Sequence, residues 1–171
     1  MGMVVFFQAI DAERLQAVKD DPDRLAEILF PEDEGEDDGE EGGGVDEIDI
    51  DKAWHGLHHL LGLVTGDEEA PAARAILGGT EIGEDDGYGP PRYFDPEEVR
   101  EIAAALDEIT EEQLSAVFDP ARMTAEGIYP ESIWADEGQE ALDYLLGYYP
   151  EMVDFYRRAA ERGDGVLLGI S

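Results

Sequence analysis

The chain has 171 residues, 43% of them hydrophobic, which is enough for one domain with a substantial core. Its 44 acidic residues outnumber its 11 basic residues, and the resulting formal net charge of -33 argues against binding to nucleic acids or anionic membranes. The absence of cysteine excludes disulfides, thiolate metal sites and cysteine nucleophiles.

The first predicted elements are a strand and two short helices. The run VVFFQAI over residues 4–10 is β-branched and aromatic, which predicts a buried strand. Asp11 is placed to cap a short helix, and Asp21 followed by Pro22 predicts the start of another. Residues 32–47 contain ten acidic residues and no basic residue, so they have no hydrophobic face to bury. They therefore predict a disordered acidic loop.

All three histidines of the chain fall in a helix predicted over residues 50–64 and ended near Gly66. Asp51, His55 and His59 recur every four residues, which places them on the polar side of that helix. The opposite side is predicted to be buried and carries four apolar residues: Trp54, Leu57, Leu61 and Val64.

The same helix raises a metal hypothesis, because two histidines one turn apart are a known zinc-binding arrangement. The metalloprotease form of that motif requires a glutamate beside the first histidine, and that position is Gly56 here. We therefore predict no metal and no cofactor. The histidines are interpreted as solvated or hydrogen-bonded helix residues, with an acid–base role for one of them as the remaining alternative.

The next predicted elements are a small helix over residues 70–77 and an edge strand around residues 92–94. The segment DPEEV then gives the strongest local signal. Asp95 caps a helix, Pro96 occupies its first turn and Glu98 completes a capping box. Further helix starts are predicted at three polar residues: Thr110, Asp119 and Asp136.

The last part of the chain is predicted to form two helices separated by a break near Gly147 to Pro150, followed by a strand over residues 166–170. Five aromatic residues at helical spacing are predicted to belong to the core: Tyr144, Tyr148, Tyr149, Phe155 and Tyr156. Strands and helices do not alternate regularly. We therefore predict an α+β fold over residues 1–171, a single compact domain that is mostly helical with a small mixed β-sheet.

A second candidate site is the glycine-rich loop over residues 83–92. Arg92 is the only base between Arg74 and Arg100. Its guanidinium either pairs with the neighbouring acids as a structural counter-ion or holds an anionic ligand beside Tyr88 and Tyr93. Structural pairing is favoured, because an arginine among acidic residues usually serves as their counter-ion.

Several pieces occur in an order similar to that of a known family: IDKAWHGLHHLL, LGGTEIG, GYGPPRYFDPEEV, FDPARMTAEGIYP and ALDYLL, after an MGM start. The sequence resembles the YfbM-like family, a bacterial domain of unknown function, over nearly the whole chain except residues 32–44. The resemblance implies a compact fold in a bacterial cytosol and supplies no activity. Its recurring pieces indicate six residues to test first: Trp54, His55, His58, Tyr88, Arg92 and Tyr93.

No apolar run approaches the roughly 18 residues of a membrane span, and the first ten residues lack the basic region of a signal peptide. The chain also lacks nucleophile and phosphate-binding motifs. We therefore expect a cytoplasmic, non-enzymatic binding or interaction protein whose negative field steers it toward a basic protein partner. An immunity-type neutraliser of a basic protein is one form of that role.

The alternative is a small enzyme or small-ligand binder. Its pocket would lie between the histidine helix and loop 83–92, with His55 or His58 as a base and Arg92 as the anion holder. The sequence leaves the oligomeric state open.

Overall fold

The computed structural model describes residues 3–29, 46–85, 87, 89–130 and 133–170. Five strands lie in this part of the chain: β1 (Val5–Ile10), β2 (Glu47–Asp49), β3 (Thr80–Glu81), β4 (Arg92–Phe94) and β5 (Gly165–Ile170). The α-helices described there are α1 (Ala12–Asp20), α2 (Leu25–Leu29), α3 (Trp54–Thr65), α4 (Pro71–Arg74), α5 (Pro96–Asp107), α6 (Glu111–Ala116), α7 (Pro120–Ala125), α8 (Ile133–Glu137) and α9 (Gln139–Arg162).

The five strands form one sheet in the order β2-β1-β5-β4-β3. The predicted α+β class is confirmed, but every strand pairing is antiparallel, whereas a mixed sheet was expected. Strand direction depends on how the long helical connections return the chain, which a local pattern does not report. β4 was expected at an edge, but it lies between β5 and the two-residue β3.

The sheet separates two clusters of buried side chains. Val5 and Phe7 alternate with their neighbours on β1 and face the main cluster, which includes the buried sides of α3, α5 and α9. Ile10 and Leu167 belong to a smaller cluster with the residues of α1 and α2. The largest fully buried side chains are Trp134, Tyr156, Phe7, Phe94 and Phe155. The small sheet therefore has apolar contacts on both faces. Most of the core lies on the face that packs against α3, α5 and α9.

The predicted helix starts are largely confirmed by their hydrogen bonds. The Asp11 carboxylate accepts from the backbone N–H of Arg14 at 2.8 Å. Capping boxes form at Asp95 with Glu98 and at Thr110 with Gln113. Short polar side chains at these positions satisfy N–H groups that the first helical turn leaves without partners, which is why local sequence was sufficient to find them.

The predicted break near Gly147 to Pro150 is wrong. α9 runs without interruption from Gln139 to Arg162, with Pro150 inside it. A proline in a helix interior costs about 3 kcal/mol, because it removes one hydrogen bond and crowds the preceding turn. Tyr149 and Met152 are buried on either side of the exposed Pro150, so burial of the apolar face offsets that cost.

The histidine helix also begins later than predicted. Asp51–Ala53 forms a 3-10 turn, and the α-helix starts at Trp54. Asp51 has a φ of 46°, outside helical geometry, so it leaves the predicted row of polar residues on α3. Gly66, with a φ of 70°, ends the helix as predicted.

Most of the predicted acidic loop, residues 32–47, lies outside the described residues. Asp46 is described, and its carboxylate accepts hydrogen bonds from Arg158 at 2.9 and 3.0 Å and from Arg162 at 2.9 Å. Glu47 begins β2. None of the described helices combines the length and the apolar character that crossing a membrane requires.

Candidate functional site

Trp54, His55 and Tyr129 form the first group of candidate residues, between α3 and the turn that precedes α8. The His55 ring stacks on Trp54 with 5.0 Å between ring centroids, and Tyr129 stacks on Trp54 at 5.6 Å. His55 Nδ1 accepts the backbone N–H of Tyr129 at 2.8 Å. Trp54 Nε1 donates to the Met3 carbonyl at 2.8 Å, and the Tyr129 hydroxyl accepts the Met3 N–H at 2.9 Å. The group therefore connects the segment before β1 to α3 and to the turn at Tyr129.

His58 and Arg92 approach the end of α4 from two different elements. Residues 75–77 form a turn after α4. Arg92 donates from Nη1 to the Gly78 carbonyl at 2.7 Å and from Nη2 to the Ile76 carbonyl at 3.3 Å. The backbone of Ala73 raises the pKa of His58, against the larger effect of burial. Arg92 therefore holds the backbone of residues 76–78 in place.

Arg92 donates to backbone carbonyls rather than to the acids that were predicted as its partners. The expected counter-ions were neighbouring acids, yet no carboxylate of the described residues lies within 4.0 Å of its guanidinium. Asp85 instead accepts the backbone N–H groups of Gly87 and Gly89 at 2.7 and 3.0 Å. Burial lowers the pKa of Arg92, with Tyr156 and Glu81 acting in the opposite direction.

The remaining candidate residues lie apart from these groups. Tyr93 is half-buried on β4, where Lys19 Nζ lies 4.9 Å from its ring centroid. Tyr88 lies outside the described residues. His59 Nε2 is buried and lies 3.7 Å from a Glu126 carboxylate oxygen, too far for a hydrogen bond. The structure thus brings Trp54 and His55 into contact, and it gives Arg92 and Tyr93 other partners.

The described residues hold no group of three or more histidine and acidic side chains that could bind a metal. Asp51, which was predicted to share the polar side of the helix with His55 and His59, accepts the Tyr144 hydroxyl at 2.6 Å. His55 Nδ1 is occupied by the Tyr129 N–H. The spacing of His55 and His59 is therefore not accompanied by a third donor in this part of the molecule.

Burial is the largest cause that lowers the pKa of each of the three histidines below its ordinary value of 6.5. For His55, the nearby His58 and His59 lower the pKa further. The hydrogen bond at His55 requires an unprotonated Nδ1, because that nitrogen accepts from Tyr129. Geometry and burial thus both favour the neutral ring.

We expect the folded protein to lose stability as the pH falls from about 7 to about 5 through this histidine. In that window the unfolded state binds more protons than the folded state, so stability is complete above pH 6.5 and decreases below it. His55→Asn keeps an acceptor for the Tyr129 N–H but does not titrate, so its pH dependence should be shallower than that of the wild type. Urea unfolding of both proteins at the two pH values measures this difference, and identical pH dependence would contradict the role of His55.

A surface that sequence reasoning missed lies between β2 and α9. We call it the β2–α9 surface and define it by six residues: Ile48, Asp49, Asp51, Tyr148, Glu151 and Asp154. Its cleft of about 370 Å³ is lined by Ile48, Asp49, Glu151, Asp154 and Arg158. β2 and α9 are about a hundred residues apart in the chain, and β2 was not predicted, so no local pattern could have joined them.

Electrostatics mark the β2–α9 surface as negative. Burial raises the pKa of Tyr148, and the charges of Asp51, Asp49 and Glu151 raise it further. Tyr148 packs edge-on against Tyr144 at 5.2 Å between centroids. Both rings are half-buried, whereas they were predicted to belong to the core with Tyr149 and Phe155.

Most basic residues of the chain form ion pairs with carboxylates of the same chain. Eight of the eleven lysines and arginines lie within 4.0 Å of a carboxylate of the described residues: Arg14, Lys19, Arg24, Arg74, Arg122, Arg157, Arg158 and Arg162. Arg92 is engaged with carbonyls. Because acids outnumber bases four to one, these pairs leave most carboxylates without a neutralising cation.

Comparisons with known proteins give a family and a fold. Residues 1–168 match the family described as Domain of unknown function (DUF1877). The crystal structure of YfbM, a protein of unknown function from Escherichia coli, is similar with a TM-score of 0.70 and 23% sequence identity. The match covers 98% of this chain and 99% of that chain, and at this identity it shows the fold alone. None of the curated proteins matches the sequence.

Proposed function

Because this chain belongs to the DUF1877 family, a domain of unknown function, we propose its function from its own surface: non-enzymatic binding of a basic protein partner. The YfbM-like resemblance found in the sequence is confirmed, and it carries no activity with it. We propose that the binding takes place in the bacterial cytoplasm. Neutralisation of a basic toxin by an immunity-type protein is one form of this role.

The observation that carries the proposal is the excess of carboxylates over available cations. The net charge is -33, and eight of the eleven basic side chains already pair with carboxylates of the described residues. Uncompensated charge of one sign raises the rate of encounter with partners of the opposite sign and disfavours partners of the same sign. A basic protein is the partner class that this surface favours.

Affinity capture from a native bacterial lysate tests the proposal. The full chain is the bait, binding takes place at about 50 mM salt and washing at about 150 mM salt. We expect a basic protein to be retained in stoichiometric amount, and its affinity, measured with the purified pair, to weaken by about tenfold or more between the two salt concentrations. Retention of no stoichiometric protein, or an affinity that does not depend on salt, would refute this function.

One observation favours the second candidate, a small-ligand binder or small enzyme. His58 Nδ1 is buried without a hydrogen-bond partner among the described residues. Burial is the largest cause that lowers the pKa of His58, and the charge of Arg92 acts in the same direction. An anion could bridge His58 and Arg92. Stabilisation of the wild type by excess inorganic phosphate, absent in Arg92→Lys, would favour this candidate over a purely structural role for the two side chains.

A further inference from the structure

β2 lies at one end of the sheet, and no described strand pairs with its outer edge. On its inner side, the Ala9 N–H donates to the Asp46 carbonyl at 2.8 Å and the Ile50 N–H donates to the Val5 carbonyl at 3.1 Å. Backbone groups alternate in direction along an antiparallel strand. The backbone N–H and C=O groups of residues 46, 48 and 50 therefore point toward β1. Those of Glu47 and Asp49 point away from the sheet.

The outward groups of Glu47 and Asp49 have no backbone partner among the described residues. Both residues are exposed, so these groups are accessible to another chain. The strand at the opposite end of the sheet, β3, has only two residues, so its outer edge exposes fewer backbone groups for pairing. An open edge of this kind is a template for an added strand.

The cleft of the β2–α9 surface lies beside this edge, since Ile48 and Asp49 of β2 line it. Ile48 faces the main core, and the carboxylates of Glu151 and Asp154 line the cleft from α9. Among the described residues that line it, Arg158 is the one cation, and it is bound to Asp46 through two hydrogen bonds. Asp154 is paired with Arg157 at 2.9 Å, whereas no cation of the described residues lies within 4.0 Å of Asp49 or Glu151. A strand added to β2 would thus place side chains over carboxylates rather than over free cations.

We propose that the outer edge of β2 binds an extended, lysine- or arginine-rich segment of the partner, which adds to the sheet as a sixth strand. This inference rests on the proposed function and specifies its surface. Main-chain hydrogen bonds to Glu47 and Asp49 give the affinity, and basic side chains that reach Asp49 and Glu151 give the selectivity. A second copy of this chain is disfavoured as the occupant, because two acidic edges would lie side by side.

The first arm of the test uses a synthetic peptide of about ten residues that alternates lysine and valine. A matched peptide carries the same charges but is N-methylated at every second residue, so it lacks the N–H groups that a strand donates. Fluorescence anisotropy at about 50 mM salt gives both affinities. We expect N-methylation to weaken binding to the wild-type chain by about tenfold or more.

The second arm changes the protein with a matched pair, Glu47→Pro and Glu47→Thr. Both variants lose the same charge, and only proline loses the outward N–H, which the β1 ladder does not use. We expect Glu47→Thr to bind the unmodified peptide within about threefold of wild type and Glu47→Pro to bind it about tenfold more weakly than Glu47→Thr. Thermal melting checks that both variants are folded. If Glu47→Pro melts at a much lower temperature than Glu47→Thr, the variants are not compared, and the binding of the N-methylated peptide to the wild type decides whether a strand is added.

The outcomes separate this inference from the proposed function. Equal binding of the two peptides, or of the two Glu47 variants when both are folded, would overturn strand addition, while salt-dependent binding would leave the proposed function standing. Absence of binding by the unmodified peptide would also overturn strand addition. The lysate capture is independent of this peptide and decides the proposed function by itself.

Discussion

Replacing Trp134 with alanine is expected to lower the free energy of unfolding by about 3–5 kcal/mol, the largest effect of any single substitution proposed for this protein. Trp134 is fully buried at 0% exposure. Its ring lies so close to α3 that a Cβ added to Gly56 would meet Trp134 Cη2 at 2.8 Å. Truncation therefore leaves a cavity between α3, α8 and α9.

The indole also supplies a buried hydrogen bond, since Trp134 Nε1 donates to the Ile128 carbonyl at 2.7 Å. Trp134→Phe keeps much of the packing but leaves that carbonyl without its partner, so we expect a smaller loss of about 1–3 kcal/mol. Urea unfolding of the wild type and both variants measures the two effects. A loss below about 1 kcal/mol for Trp134→Ala would contradict the packing described for this residue.

Replacing Arg92 with alanine is the second large effect, with an expected loss of about 2–3 kcal/mol. The half-buried guanidinium donates to the carbonyls of Ile76 and Gly78, which lie in the turn after α4 and outside any helix or strand. Without Arg92 these carbonyls lose charged hydrogen bonds, each of which is worth more than a neutral one.

Arg92→Lys is the matched control, because it keeps the charge but cannot reach two carbonyls with one planar fork. We expect it to fall between the wild type and Arg92→Ala in the free energy of unfolding measured in urea. If Arg92→Ala unfolds at the same urea concentration as the wild type, the structural role is wrong, and holding an anion becomes the better explanation for this residue.

The fold was predictable from the sequence where a structural feature depends on residues within about one helical turn of each other. Asp95 with Glu98, and Thr110 with Gln113, identify helix starts because the capping bonds lie within four residues of each other. Pro150 was misleading for the opposite reason. Whether a proline ends a helix depends on how well the rest of that helix is packed, and the partners of α9 come from distant parts of the chain.

The candidate site was predictable only in part. Trp54 and His55 were found because they share a helix, and their contact is local. The partners of Arg92 were not predicted, because they are backbone carbonyls. Every residue has a carbonyl, so the sequence does not indicate which ones accept a hydrogen bond from Arg92. The β2–α9 surface was not predicted either, because its residues are far apart in the sequence. Ile48 and Asp49 lie beside Glu151 only after the sheet has formed.

The pairing of β1 with β5 has a consequence for the rate of folding. Val5 lies opposite Ile170, so the centre of the sheet joins two strands from distant parts of the chain. β4 is connected to β1 only through β5, so the sheet cannot be completed before this distant pairing forms. Contacts of such large sequence separation form slowly, because a long loop must close before they contribute free energy. We therefore expect the helices to form before the sheet on which they finally pack.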